Sequence, residues 1–89
     1  MQLDTESAAS VAARLRRARG QIEGVLAMIE AGRSCEDIVT QLSAASKAVD
    51  RAAFTIVSCG LTQCIEAEHE GKPAPMDRAK LEKLFLSLA

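Results

Sequence analysis

The sequence predicts an all-α fold, three helices to a chain, in a molecule that needs further chains to complete it. Two stretches carry apolar residues at alternating steps of four and three, the seam of a helix packed on other helices. No segment shows the two-residue alternation of a half-buried strand. The 89 residues include no tryptophan, no tyrosine and two phenylalanines, yet 48% are apolar. Alanine, leucine, isoleucine and valine must therefore build the core, in a chain short of the size at which one core is comfortably stable. Such a chain closes its core with another copy.

The first helix is expected from about residue 6 to 31, with its seam at Val11, Leu15, Ala18, Ile22, Val25 and Ile29. Gly32 stops it as a left-handed residue beyond the last turn. Ser34 to Asp37 resembles a capping box, with the Ser34 hydroxyl on the Asp37 N–H and the carboxylate reaching back. The second helix then starts at Cys35 and continues to about residue 69, with a seam at Ile38, Leu42, Ala45, Val49, Ala52 and Ile56. Gly60 weakens it by about 1 kcal/mol relative to alanine without breaking it. At 1.5 Å per residue this helix is roughly 50 Å long, against a radius of gyration of about 12 Å for a compact domain of this length. It must protrude or be covered by partners. Gly71 to Pro75 makes a turn, and Asp77 caps a short third helix over about 77–88 that carries Leu81, Leu84, Phe85 and Leu88. Residues 1–89 read as a single domain without repeats.

The formal net charge of −1 gives no global field toward nucleic acid or anionic lipid, so any such binding needs a local patch. The N-terminal MQLDTESAAS has no apolar run and reads as neither signal peptide nor anchor. No stretch approaches the roughly 20 apolar residues of a spanning helix, and no membrane partner is expected. Three cysteines, an odd number, point to reduced thiols. The expected location is the cytoplasm.

Those cysteines raise the functional question. Cys35 and Cys64 lie on one helix, roughly 43 Å apart along its axis, so within one chain they share nothing. If the second helix pairs with its own copy antiparallel about a two-fold axis, an axis between Val49 and Asp50 brings Cys35 of one chain level with Cys64 of the other. Small residues at this centre (Ala44, Ala45, Ala48, Ala52, Ala53) permit close backbone approach. Cys59 lies about 7.5 Å and 140° from Cys64 on an ideal helix and continues the apolar seam. It reads as a small buried hydrophobe.

The segment Arg14 to Gly24 resembles the R-x-x-R-x-x-G-Q-x-x-G opening of the CsoR/RcnR repressors, and Cys35 to Ala44 resembles their C-x-D-[VI]-x-x-Q-[IL]-[SA]-A segment. The resemblance runs from about Arg14 to Cys64. It implies three-helix chains assembled as antiparallel dimers and then tetramers, and repression of transcription until an inducer binds. It also implies a sensing site of Cys35 with Cys64 of the partner chain. The copper-sensing branch adds a histidine four residues before the second cysteine, where this chain has Gly60. His69, about 7.5 Å beyond Cys64 and 140° round the helix, does not replace it. Two thiols without an imidazole resemble the CstR-like persulfide sensors, so persulfide or polysulfide is the expected inducer and no cofactor is required. Copper(I) is the alternative effector, because this soft ion prefers thiolates and the Cys35–Cys64′ pair could hold it alone.

Operator DNA is the expected partner. Four arginines fall within Arg14 to Arg19, and no acidic residue occurs between Ser7 and Gln21. This is the local patch that the near-neutral charge demands. The family resemblance assigns DNA contacts to Arg14 and Arg51, with Arg17, Lys47 and Gln21 beside them. No helix-turn-helix is recognisable, so phosphate contacts and DNA shape are expected to carry selectivity. An enzyme is not expected. Glu66 and His69 have the Glu-x-x-His spacing of a di-iron ligand pair, but the second motif that such a bundle needs is missing.

Overall fold

The computed structural model describes residues 1–88. Among them are three helices and no strand: α1 (Thr5–Glu30), α2 (Cys35–His69) and α3 (Arg78–Ser87). Each helix start has a side-chain cap. Asp4 accepts from the Ser7 N–H at 2.7 Å and the Ser7 hydroxyl at 3.0 Å, which starts α1 one residue ahead of the sequence expectation. Ser34 accepts from the Asp37 N–H at 3.2 Å. The returning half of the expected capping box is absent, because the Asp37 carboxylate pairs with Arg33 at 2.9 Å instead. Asp77 accepts from the Ala79 N–H at 3.2 Å and so stands before α3 rather than within it.

The two long helices end alike. Gly32 and Gly71 have φ of 68° and 70°, left-handed values that cost a residue with a Cβ dearly. The following N–H groups turn back to close the last turn, Arg33 onto the Met28 carbonyl at 3.0 Å and Lys72 onto the Ala67 carbonyl at 2.8 Å.

Helices α1 and α2 form an antiparallel hairpin. Gln63 Nε2 donates to the Gln2 carbonyl at 2.6 Å near one end, and Gln41 Nε2 to the Gln21 carbonyl at 3.4 Å near the other. The core between them is one residue wide and repeats every seven positions. Val11, Ala18 and Val25 are buried on α1, and Ala45, Ala52 and Cys59 on α2. The other half of the expected seam faces outward: Leu15, Ile22, Ile29, Leu42 and Val49 are each more than 40% exposed. A single row of small side chains joins the hairpin, and a parallel apolar row stays uncovered.

Helix α3 packs on the far half of α2. Its buried Leu81 lies against Gly60, and Phe85 meets Phe54 edge to face with ring centroids 5.8 Å apart, an arrangement that aromatic pairs favour. The molecule measures 58 × 25 × 12 Å with a radius of gyration of 17.1 Å, well above the roughly 12 Å of a compact chain of this length. Its accessible surface of 6538 Å² likewise exceeds the roughly 5,000 Å² of a compact monomer of this mass. Among the described residues no helix is long and apolar enough to cross a membrane.

Candidate functional site

The hairpin organises two groups of side chains with different chemistry. The first is basic. Residues of α1 and of α2 that flank the two buried rows reach the same groove from opposite walls. Arg14, Arg17 and Gln21 come from α1, and Lys47 and Arg51 from α2, with Ala44 and Ala48 as its floor. All five polar residues singled out from the sequence thus line one cavity of about 210 Å³. The four cations are exposed, and no acidic residue lines the groove. Gln21 differs: its Oε1 is buried without a hydrogen-bond partner. A concave cluster of unneutralised cations suits an anion such as a backbone phosphate.

The second group comprises the thiols, and all three cysteines are free. Cys35 is the first residue of α2 and is exposed. Cys64 sits about one and a half turns before the other end, half-buried, and donates to the Met76 carbonyl at 3.5 Å. It lines a cavity of about 390 Å³ with Leu61, Ile65, Met76, Leu81 and others. The unbroken helix between them keeps Cys35 and Cys64 of one chain apart. Among the described residues no three of His, Cys, Asp and Glu gather as a metal site within the chain. His69 is exposed at the end of α2, with no cysteine beside it on the helix surface.

Cys59 is buried on the seven-residue core row, as its place in the apolar seam suggests. It is also a polar link. Its thiol donates to Asp4 Oδ2 at 3.4 Å, and its sulfur accepts from Gln63 Nε2 at 3.2 Å. The Ser7 N–H and hydroxyl, then the Cys59 thiol, hold the Asp4 carboxyl below its ordinary pKa.

Sequence reasoning missed the N-terminal segment. Met1 to Asp4 runs along the far half of α2, tied by the Met1 amine to the Pro75 carbonyl at 3.3 Å, by Gln2 to Gln63 and by Asp4 to Cys59. Its thioether covers Gly60, where a Cβ would collide with Met1 Sδ. No local motif marks these contacts, since they join residues some sixty positions apart in the chain.

Comparison with known proteins gives the family of this helical hairpin. Residues 7–87 match the family described as metal-sensitive transcriptional repressors. The chain is 37% identical over 70 residues to the copper-sensing transcriptional repressor RicR of Mycobacterium tuberculosis, covering 78% of this chain and 73% of that one. It is 35% identical over 54 residues to the copper-sensing transcriptional repressor CsoR of Mycobacterium ulcerans, covering 61% of this chain and 46% of that one. It is also 44% identical over 43 residues to the uncharacterized protein YrkD of Bacillus subtilis, covering 48% and 68% respectively. No solved structure matches it significantly.

Proposed function

The chain belongs to the metal-sensitive transcriptional repressors, and from that premise we propose that it is a copper(I)-responsive repressor whose sensing site is shared between two copies. It is a repressor and not an enzyme. The finer reading assigns Cys35 of one chain and Cys64 of the other as the copper(I) ligands. Arg14, Arg17, Gln21, Lys47 and Arg51 form the surface that meets operator phosphates.

One observation carries the shared site. The two thiols stand near opposite ends of a 35-residue helix, and the exposed apolar row beside its midpoint includes Leu42 and Val49. A second copy laid antiparallel over that row covers it and brings each Cys35 level with the other chain's Cys64. The surface excess over a compact monomer, about 1,500 Å², is of the order that a stable interface buries. Dimers of this kind pairing into tetramers would multiply the basic groove, and modest phosphate contacts would sum along the DNA.

The donor set fits copper(I): both thiols are free, and thiolate sulfur is what this soft ion selects. Bound there, the ion would bridge two chains. Cys35 and Cys64 then hold the helices in one arrangement, and an arrangement poor for DNA opposes operator binding by a coupling energy of about 1–3 kcal/mol. The sequence alone favoured persulfide. The copper-sensing relatives shift the weight to copper(I).

Gly60 at the imidazole position keeps persulfide as a second reading. Exposed Cys35 would attack a low-molecular-weight persulfide, taking its outer sulfur and releasing the thiol. Cys64 of the partner would then displace hydrosulfide to leave an interchain disulfide. Intact mass and operator affinity, measured on the same reduced samples after anaerobic copper(I) or polysulfide, separate the two. Release by stoichiometric copper(I) is expected. Release by polysulfide alone would transfer the site to sulfur chemistry.

A further inference from the structure

The space that a side chain at position 60 would take is filled from the other end of the sequence. A Cβ built on Gly60 meets Met1 Sδ itself, with Met1 Cε at 3.3 Å and Leu81 Cδ1 at 3.2 Å. A sulfur atom therefore occupies the volume in which a histidine side chain would begin. It is held there by the ties of the N-terminal segment, Met1 to Pro75, Gln2 to Gln63 and Asp4 to Cys59. Residues four apart on a helix have Cβ atoms about 5–6 Å apart, so a sulfur over Gly60 lies one helical turn from Cys64 on the same face. A thioether is a soft, neutral donor of the kind copper(I) selects.

We propose that Met1 supplies the third donor of the copper(I) site, its thioether standing in for the absent imidazole beside Cys64 and the Cys35 of a second copy. The inference rests on the copper(I) reading above. It gives Gly60 a purpose: glycine leaves the room through which the thioether reaches the site. It also gives the polar ties of residues 1–4 one, since they place a flexible side chain. A two-thiolate site and one completed by a thioether differ in coordination number, which is directly measurable.

The test uses the full-length protein carrying Met28→Leu and Met76→Leu, grown with selenomethionine so that residue 1 holds the sole selenium. It is loaded anaerobically with copper(I), and X-ray absorption is recorded at the copper edge. A three-coordinate ion with a copper–selenium vector is expected. A two-coordinate, sulfur-only ion would overturn the role of Met1 while leaving the two-thiolate copper site standing. Failure of the wild-type protein to retain copper(I) against a chelator would overturn both. A second arm makes Met1→Leu by protease release from an N-terminal fusion, and Gly60→Ala, which crowds the thioether, directly. Each should lower copper(I) affinity on the order of tenfold, the scale on which supporting partners of metal sites act. Helicity and polysulfide cross-linking through Cys35 and Cys64 should stay as in wild type. Unchanged copper(I) affinity in both variants would refute the inference.

Discussion

The basic groove and the thiol pair lie on the same hairpin but differ in how many chains they need. Arg14, Arg17 and Gln21 step along α1 at intervals of three and four, and Lys47 and Arg51 lie four apart on α2. Antiparallel packing therefore lines all five along one groove of a single chain. Cys35 and Cys64 sit on one unbroken helix, which holds them apart within the chain. The groove forms within one chain, from helical periodicity and hairpin packing together, whereas the two thiols, as the proposed pair, would need a second molecule. On the proposed reading, a change in how chains pair would leave the basic groove chemically intact and still alter how copies of it are presented.

The largest effect should come from separating the thiols genetically. Cys35→Ala and Cys64→Ala should each abolish the inducer response while keeping operator affinity. A mixed dimer of the two variants should regain one site of two, seen as half the wild-type inducer stoichiometry. A mixed dimer with no site at all would break the comparison, because the pair would then not be shared between chains.

Next is the uncovered apolar row. Val49→Asp should convert the assembly to monomers in sedimentation, since it places charge on the face that a second copy must bury. The hairpin core row, 45, 52 and 59, is a separate row beside it, so much of the helicity should persist. An unchanged assembly would mean that another face mediates pairing.

Arg51→Ala and Arg14→Ala should each weaken operator binding and reduce the slope of log affinity against log salt by about one. Assembly and inducer stoichiometry should not change. Equal affinity across salt concentrations would reduce the groove to a solvated face.

The smallest effects sharpen the boundary between packing and sensing. Cys59→Ala should remain inducible and lose about 1 kcal/mol of stability, the low end for a truncated core group. The Asp4 carboxyl is held below its ordinary pKa in the folded chain. Its contribution is thus complete above its unfolded value of about 3.9 and is lost as pH falls through the lower folded value. Amide exchange at Ser7, whose N–H Asp4 accepts, should accordingly gain protection from pH 3 to pH 5 after correction for intrinsic rate. Equal protection at both would show that the cap is not formed by the ionised carboxylate.

Much of this molecule was legible in its residues because helices report themselves locally. The four-three periodicity, Gly32, Gly71 and the oxygen-bearing residues Ser34 and Asp77 set the elements and their ends, since each acts on the backbone within one turn. The same periodicity put Arg14, Arg17 and Gln21 on one face of α1 and Lys47 and Arg51 on one face of α2, and hairpin packing brought the two sets together. Family resemblance supplied the role proposed for Cys35 and Cys64. What periodicity could not decide was which apolar row closes the hairpin. Val11 and Leu15 are equivalent in pattern, and only the packing of α2 buries the first and leaves the second exposed. Nor could it place Met1 over Gly60 or Asp4 against Cys59. Those contacts depend on the chain reversing at Gly32 and Arg33 and on the hairpin's register, which no neighbouring residue encodes. Sequence alone determined the helices, their ends and the spacing of their chemistry. Tertiary structure decided which faces meet, because packing is a choice among apolar surfaces that are alike in pattern and differ only in what lies across from them.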